Sequence, residues 1–392
     1  MCVIAEDSTL GETVDAARCL EQLQPPPRSV LIITNNYHTR RAFSIFRKRL
    51  PQYQWSVALN PSDYARYHLP LAVGQVMSAV GTSGRFGVTL FFLLSGYLIT
   101  ALLLRERWIR GQVSLRSFYI RRILRIWPLY FFAVSVAVLW PWIGRLPLPY
   151  FVAYLLLAGN WMAALLGPPA SWASILWSVS IEEQFYLSWP LVIKFFSRAG
   201  RLYAAIGLVA LANIVRFYLA VRPLHPYTVF PNTFAELDTI GVGILCALVL
   251  KGSVPVLSTG KRLLLACIGF ALLLGCGYFG RVETPTFVRV GYPCALAGCL
   301  ALFLAVCGMS FTFRPLIYLG KISYGLYVYH VLALLLVGLA LGGKAGTPAR
   351  WLVYWFGGLI LTTTLASASY RWLESPFLRQ KQKFTALQSR PV

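Results

Sequence analysis

Long apolar segments follow one another along most of this chain, from residue 86 onward. Ten of them are candidates for membrane helices: 86–104, 126–142, 149–166, 180–196, 203–220, 238–250, 263–279, 289–309, 323–341 and 351–370. Most approach the roughly 20 apolar residues that a helix needs to cross a bilayer. The pattern predicts an all-α integral membrane bundle of about nine to ten transmembrane helices.

The first 60 residues follow a different pattern. Apolar residues at helical spacing over Gly11–Gln24 precede a short apolar run, Ser29–Asn35, and a basic amphipathic segment, Tyr37–Leu50, leads to a second run, Tyr53–Leu59. This order predicts a small α/β fragment with two strands. We therefore expect four regions: a partial α/β fragment (1–60), a linker (61–85), a membrane domain (86–380) and a basic cytoplasmic tail (381–392).

Composition agrees with a membrane protein. Hydrophobic residues make up 57% of the chain and charged residues only 12%, with a mean hydropathy of +0.63, whereas a soluble domain carries roughly 25% charged residues. The formal net charge is +23, and most of the excess lies beyond residue 85. In that position it indicates contact with membrane lipids or an anionic cosubstrate, and no nucleic-acid partner. The cysteines lack the paired spacing of a metal site, so we expect no metal.

Basic clusters predict how the chain lies in the membrane. The densest cluster, Arg105–Arg125, should be cytoplasmic by the positive-inside rule. All other clusters fall on the same side only if segment 149–166 does not cross but forms a hairpin interrupted at Gly159–Trp161. Nine crossings then remain, in a multi-pass protein of the cytoplasmic (inner) membrane. Residue 85 would then lie outside, so we expect a first transmembrane helix to be missing or replaced.

Five motifs occur in a fixed order along the apolar part: Gly87–Ile99, Phe118–Tyr130, Trp177–Tyr186, Leu319–His330 and Ser369–Phe377. Together they closely resemble acyltransferase family 3, the OafA/YrhL-like membrane O-acyltransferases, over residues 84–380. The resemblance implies transfer of an acyl group, often acetyl, from cytoplasmic acyl-CoA to a hydroxyl of an extracytoplasmic glycan or glycolipid. Separately, Glu6, Thr13 and Ile32–Ala42 resemble the C-terminal half of the YdcF/ElyC-like envelope proteins.

Three arginines are candidates for binding the acyl-CoA donor. The spacing of Arg121, Arg122 and Arg125 places the first and third on one helix face, with Arg122 beside them. Guanidinium groups bind phosphate in a bidentate manner. The alternative is a positive-inside anchor without a ligand. His330, nine residues past Lys321 and roughly 13 Å deep, could line the donor tunnel; the alternative is a core histidine bonded to a tyrosine.

Adjacent carboxylates at Glu182 and Glu183 are candidates for proton transfer. A carboxylate within a membrane segment is costly and is by default a functional candidate. Helical geometry separates the two by about 100°, so only one should face the interior, and the resemblance favours Glu182. That carboxyl could exchange a proton with an acceptor hydroxyl or with a histidine. The alternative is a hydrogen-bond anchor between helices.

The chain departs from the family pattern at two places. Family members begin with a helix that carries an Arg and, eleven residues later, a His taken as the catalytic base. Here His68 lies in the corresponding region, but Val57 stands where the Arg is expected. His68 is therefore a candidate base, and the alternative function is a catalytically inactive, truncated or fused envelope protein. The second departure is Glu236, where the family often has an Arg; reversing that charge should weaken an Arg–Asp pairing and casts doubt on a role for Asp238.

Overall fold

The computed structural model of the chain describes residues 20, 29–34, 46–48, 50–59, 84–140, 146–220, 228–253, 255–279, 287–342 and 348–384. The chain divides into two units, Met1–Gly74 and Gln75–Val392.

The first unit contains two short parallel strands, β1 (Ser29–Thr34) and β2 (Gln54–Leu59). Their register runs from Ser29 opposite Gln54 to Thr34 opposite Leu59. Parallel strands require a crossover connection, and the intervening segment is helical over residues 46–48. The two predicted strands are thus confirmed; most of the first predicted helix lies outside the described residues.

The described part of the second unit is helical. Its α-helices are α1 (Phe86–Arg110), α2 (Leu115–Leu139), α3 (Leu148–Leu155), α4 (Gly159–Leu166), α5 (Trp177–Phe195), α6 (Arg198–Ala220), α7 (Thr233–Leu250), α8 (Thr259–Phe279), α9 (Tyr292–Val306), α10 (Arg314–Lys321), α11 (Ser323–Ala340), α12 (Pro348–Ser369) and α13 (Ser375–Gln382). A 3₁₀ turn (Trp172–Leu176) precedes α5, and π-helical turns at Phe287–Gly291 and Tyr370–Glu374 precede α9 and α13.

Eight helical segments among the described residues are long and apolar enough to cross a membrane. They correspond to eight of the nine predicted crossings. The ninth, α5, has 19 residues but is rich in charge, since Glu182, Glu183 and Lys194 lie within it. The predicted all-α membrane bundle is confirmed, and the predicted crossing that is not among these eight segments is the helix that carries the adjacent carboxylates.

Segment 149–166 is interrupted, as predicted, but the break lies at residues 156–158, whereas residues 159–161, where it was expected, begin α4. Two helices of eight residues each, α3 and α4, replace a single span. Eight residues rise only about 12 Å, too little to cross a bilayer. The break between the two helices contains Leu157, whose positive φ of 56° is uncommon for a residue other than glycine.

Close packing of α1 against α7 depends on two glycines. A β-carbon built on Gly96 would lie 2.3 Å from the Ile240 carbonyl oxygen, and one built on Gly243 would lie 2.0 Å from that of Leu93. Any side chain would force the two backbones apart. Ser95, next to Gly96, is therefore held at a close helix–helix contact.

A π-helical turn connects α12 to α13. The backbone N–H and the hydroxyl of Ser375 both donate to the carbonyl oxygen of Tyr370, five residues earlier, and the hydroxyl contact is 2.7 Å. Such turns carry one residue more than an α-helical turn. This turn sets the direction in which α13 leaves the bundle to pack against α2.

Candidate active site

Glu182 lies at the centre of a buried hydrogen-bond cluster. Its side chain is 4% exposed, and its Oε1 accepts from the Ser95 hydroxyl at 2.6 Å and from the Tyr186 hydroxyl. The two hydroxyls are 2.9 Å apart. Tyr186 stands one helical turn after Glu182, while Ser95 comes from α1 through the glycine contact. As predicted, Glu182 faces the interior.

The neighbouring carboxylate, Glu183, turns toward α2. Its Oε2 accepts from the Trp127 indole N–H at 3.1 Å, and its buried Oε1 has no hydrogen-bond partner among the described residues. The two carboxylates therefore have different hydrogen-bond partners: Glu182 bonds to hydroxyls of α1 and α5, and Glu183 bonds to an indole of α2.

Arg122 lies beside the Glu182 cluster rather than at an exposed helix end. Its guanidinium carbon is 5.2 Å from the ring centre of Tyr186 and 5.5 Å from that of Phe118. A cation over an aromatic face is attracted by the ring quadrupole. Its buried Nε has no hydrogen-bond partner within the part of the chain that the structure describes, which leaves one donor available.

Arg121 is engaged by the protein itself. Its Nη2 donates to Glu106 Oε2 at 3.0 Å, and its Nη1 donates to the carbonyl oxygen of Phe384 at 2.9 Å. Glu106 is buried and also accepts from the backbone N–H of Ser114. Arg121 thus fastens the C-terminal segment to α2, and sequence reasoning missed Glu106 because its partner lies 15 residues away.

Arg125 is exposed, and a further cation approaches it from α13. Lys381 lies within electrostatic range of Arg121, Arg122 and Arg125. We call these four residues the basic cluster. The sequence had marked Lys381 only as part of a basic tail, because nothing local shows that α13 folds back onto α2.

His330 sits in α11 with a defined hydrogen bond. Its Nδ1 lies 2.6 Å from the carbonyl oxygen of Tyr327, so Nδ1 carries the proton that this bond requires. The Tyr327 hydroxyl bonds Ser178, which stands one turn before Glu182 in α5, at 2.6 Å. His330 is therefore bonded to a tyrosine, as the alternative interpretation expected, but at the backbone carbonyl of that tyrosine rather than at its hydroxyl.

The family follows from sequence comparison. A model described as an acyltransferase domain (Acyl_transf_3) matches residues 31–371. The chain belongs to this acyltransferase family. The match begins within the segment predicted as an α/β fragment, and the comparisons do not confirm the YdcF/ElyC-like resemblance, which stays a prediction.

Curated relatives carry matching names. YrhL of Bacillus subtilis, named as a proposed peptidoglycan O-acetyltransferase, is 31% identical over 330 residues, which cover 76% of this chain and 51% of YrhL. The O-acetyltransferase OatA of Staphylococcus aureus is 26% identical over 336 residues, covering 78% of this chain and 54% of OatA. The chain spans about half the length of the curated relatives it matches. No solved structure matches it.

The sequence predicted that Glu236 would weaken an Arg–Asp pairing at Asp238. Asp238 does pair with an arginine, but that arginine is Arg216 of α6 rather than a residue two positions away. Arg216 Nη1 donates to Asp238 Oδ1 at 3.0 Å, and Nη2 donates to Oδ2. Arg216 lies within the predicted span 203–220, and a charge inside an apolar segment indicates that a partner of opposite charge is near. That signal could have led to the pair.

His68 is the histidine that the sequence indicated as a candidate base. His68 falls outside the described residues, as do His38 and His225, so its role as a base stays a prediction. Within the described ranges no group of three or more His, Cys, Asp or Glu side chains could hold a metal ion.

Proposed function

We propose that this chain is a membrane O-acyltransferase that moves an acyl group, acetyl in the first instance, from acyl-CoA to a hydroxyl of a glycan or glycolipid. The proposal rests on one observation above all: the cation of Arg122, the phenol of Tyr186 and the carboxylate of Glu182 form a continuous buried cluster. This cluster joins the basic cluster, suited to an anionic donor, to a group suited to proton transfer.

On the donor side, the phosphates of acyl-CoA are the anionic ligand that the basic cluster fits. Charge-assisted contacts from arginine to phosphate are strong and directional. Arg122 and Arg125 are the members proposed to bind them, since Arg121 already pairs with Glu106. His330, on the neighbouring helix α11, is proposed to line the path of the acyl-pantetheine arm.

On the acceptor side, the reaction needs a base. The acceptor oxygen bonds the thioester carbonyl carbon, the carbon–sulfur bond breaks, and the hydroxyl proton finally reaches the released thiolate. We assign the first transfer of that proton to Glu182. The hydroxyls of Ser95 and Tyr186 hold the carboxylate in place. The acceptor is proposed to be a cell-envelope glycan such as peptidoglycan, the acceptor named for YrhL.

The test is a transfer assay with the purified chain in lipid nanodiscs, acetyl-CoA and a glycan acceptor. Glu182→Gln keeps the size of the side chain but removes the base, so kcat should fall by roughly 10²–10⁴ while the Kd for acetyl-CoA stays unchanged. Glu183→Gln is the matched control, and His68→Ala tests the other candidate base. Wild-type turnover by Glu182→Gln would show that Glu182 is only an anchor.

Donor binding is tested separately. Arg122→Ala and Arg125→Ala should each weaken acetyl-CoA binding, by about 1.5–3 kcal/mol for each charge-assisted hydrogen bond that the substitution removes. Arg116→Ala, an exposed arginine on the same helix, is the control. An unchanged Kd in the double variant would leave the three arginines as a positive-inside anchor.

A further inference from the structure

Four of the five N–H groups of the Arg216 guanidinium donate to neighbouring groups. Besides both Asp238 oxygens, it donates to the carbonyl oxygen of Ala235 and to Asn213 Oδ1, each at 3.1 Å. Arg216 is 2% exposed and Asp238 is 1% exposed. Each charge of this buried pair is thus balanced by the other within the protein.

Two polar groups beside this ion pair are not satisfied. Glu236, 1% exposed, has an Oε1 without a hydrogen-bond partner among the described residues, and the same holds for the hydroxyl of Tyr292, 6% exposed. Both border Arg216: its guanidinium carbon is 5.1 Å from the Tyr292 ring centre, and the Glu236 carboxyl lies within electrostatic range of Arg216 and of Tyr292. Buried polar groups in proteins are nearly always hydrogen-bonded, so the pair requires an explanation.

The two groups are complementary to a hydroxyl ligand. A carboxylate oxygen accepts a hydrogen bond, and a phenol donates one. A hydroxyl group can donate to the first and accept from the second. The two terminal nitrogens of Arg216 cannot supply those bonds, because their four N–H groups already donate to Asp238, Ala235 and Asn213.

The surroundings also suit a sugar. Glu236 lies in the first turn of α7, at the end of that helix remote from Lys251. At this end the rings of Trp177 and Phe230 pack with centres 4.8 Å apart. Thr233 donates to Gln184 of α5 at 2.6 Å and accepts from Asn160 of α4 at 2.8 Å. Aromatic faces and fixed amides are therefore gathered around the start of α7.

We propose that Glu236 and Tyr292 form a subsite that binds a hydroxyl of the glycan acceptor. This inference rests on the proposed function. A resident water molecule would offer the same hydroxyl chemistry, and the experiment separates the two sources. A carboxylate at position 236 can accept a hydrogen bond from such a hydroxyl, whereas an arginine at that position could not.

The test uses the full chain in nanodiscs with N,N′,N″-triacetylchitotriose, a trimer of N-acetylglucosamine with free hydroxyls. Glu236→Gln and Tyr292→Phe should each weaken trimer binding, measured by calorimetry, at least tenfold and raise the acceptor KM to match. The Kd for acetyl-CoA and the thermal unfolding midpoint should stay close to wild type. Tyr203→Phe, which removes the hydroxyl of an exposed tyrosine on α6, is the control.

The other outcomes separate the failure of the subsite from the failure of the proposed function. Unchanged trimer binding with a lowered unfolding midpoint would assign the two groups to a structural water, and a wild-type chain that neither binds nor acylates the trimer would remove the subsite. Binding that depends on Glu236 and Tyr292 without any transfer would support the subsite while refuting the proposed function. Transfer without such dependence would do the reverse.

Discussion

The contact between α1 and α7 leads to a sharp prediction about stability. Real β-carbons do not approach another heavy atom within 3.0 Å, yet alanine at position 96 would place one at 2.3 Å from Ile240 and alanine at 243 would place one at 2.0 Å from Leu93. Both obstacles are backbone oxygens, which cannot rotate away. The helices must therefore separate by about 0.7 Å for Gly96→Ala and about 1 Å for Gly243→Ala, and overpacking of this kind typically costs about 1–3 kcal/mol.

The free energy of unfolding, measured by denaturant titration in mixed micelles, should fall in both variants and more in Gly243→Ala. Because one separation of the helices relieves both clashes, the double variant should be destabilised by less than the sum of the two single effects. Gly87, in the same helix, has nothing within 4 Å of a built β-carbon; Gly87→Ala should be neutral or slightly stabilising. Equal stability of Gly96→Ala and Gly87→Ala would refute the packing argument.

Three further predictions follow from the described contacts. Asp238→Ala should cost about 3–5 kcal/mol in unfolding titrations, since it leaves Arg216 buried without its counter-ion; the double variant Arg216→Met/Asp238→Leu should recover most of that stability, and equal destabilisation of the two variants would contradict it. Arg110 ends α1 and Trp140 follows the far end of α2, so cysteines placed at these two positions should react with a membrane-impermeant reagent from opposite sides of the membrane. Labelling of both positions from the same side would overturn the predicted orientation. Glu106→Gln should release the Arg121 contact and make the C-terminal segment more sensitive to added protease, with wild-type resistance as the refuting result.

The sequence predicted what is periodic or punctuated. Apolar length identified the spans, and the sequence around Gly159 indicated the interruption of segment 149–166 to within a few residues, because both are local properties. It also predicted that Glu182 faces the interior, through helical geometry and the family motif, but not that Glu183 is held by the protein as well, against Trp127 of α2. These features need no knowledge of which helices are neighbours.

Pairings between distant helices could not be predicted in the same way. Nothing near Asp238 in the chain points to Arg216, and nothing near Arg121 points to Glu106. The approach of Lys381 to Arg125 likewise depends on α13 folding back, which is a tertiary event. Charges within apolar segments signal that partners exist, but only packing decides which partner each one finds.

The π-helical turn at Tyr370–Glu374 has a consequence for how this chain can vary. One extra residue in a turn rotates everything after it by about 100° relative to the helix before it. The turn therefore sets the rotation of the α13 side chains about the helix axis relative to those of α12, and so directs Lys381 toward α2. Deleting a single residue there would leave the composition of α13 intact and yet swing Lys381 away from the arginines of α2. Length at this turn should thus be under stronger selection than the identity of the residues within it.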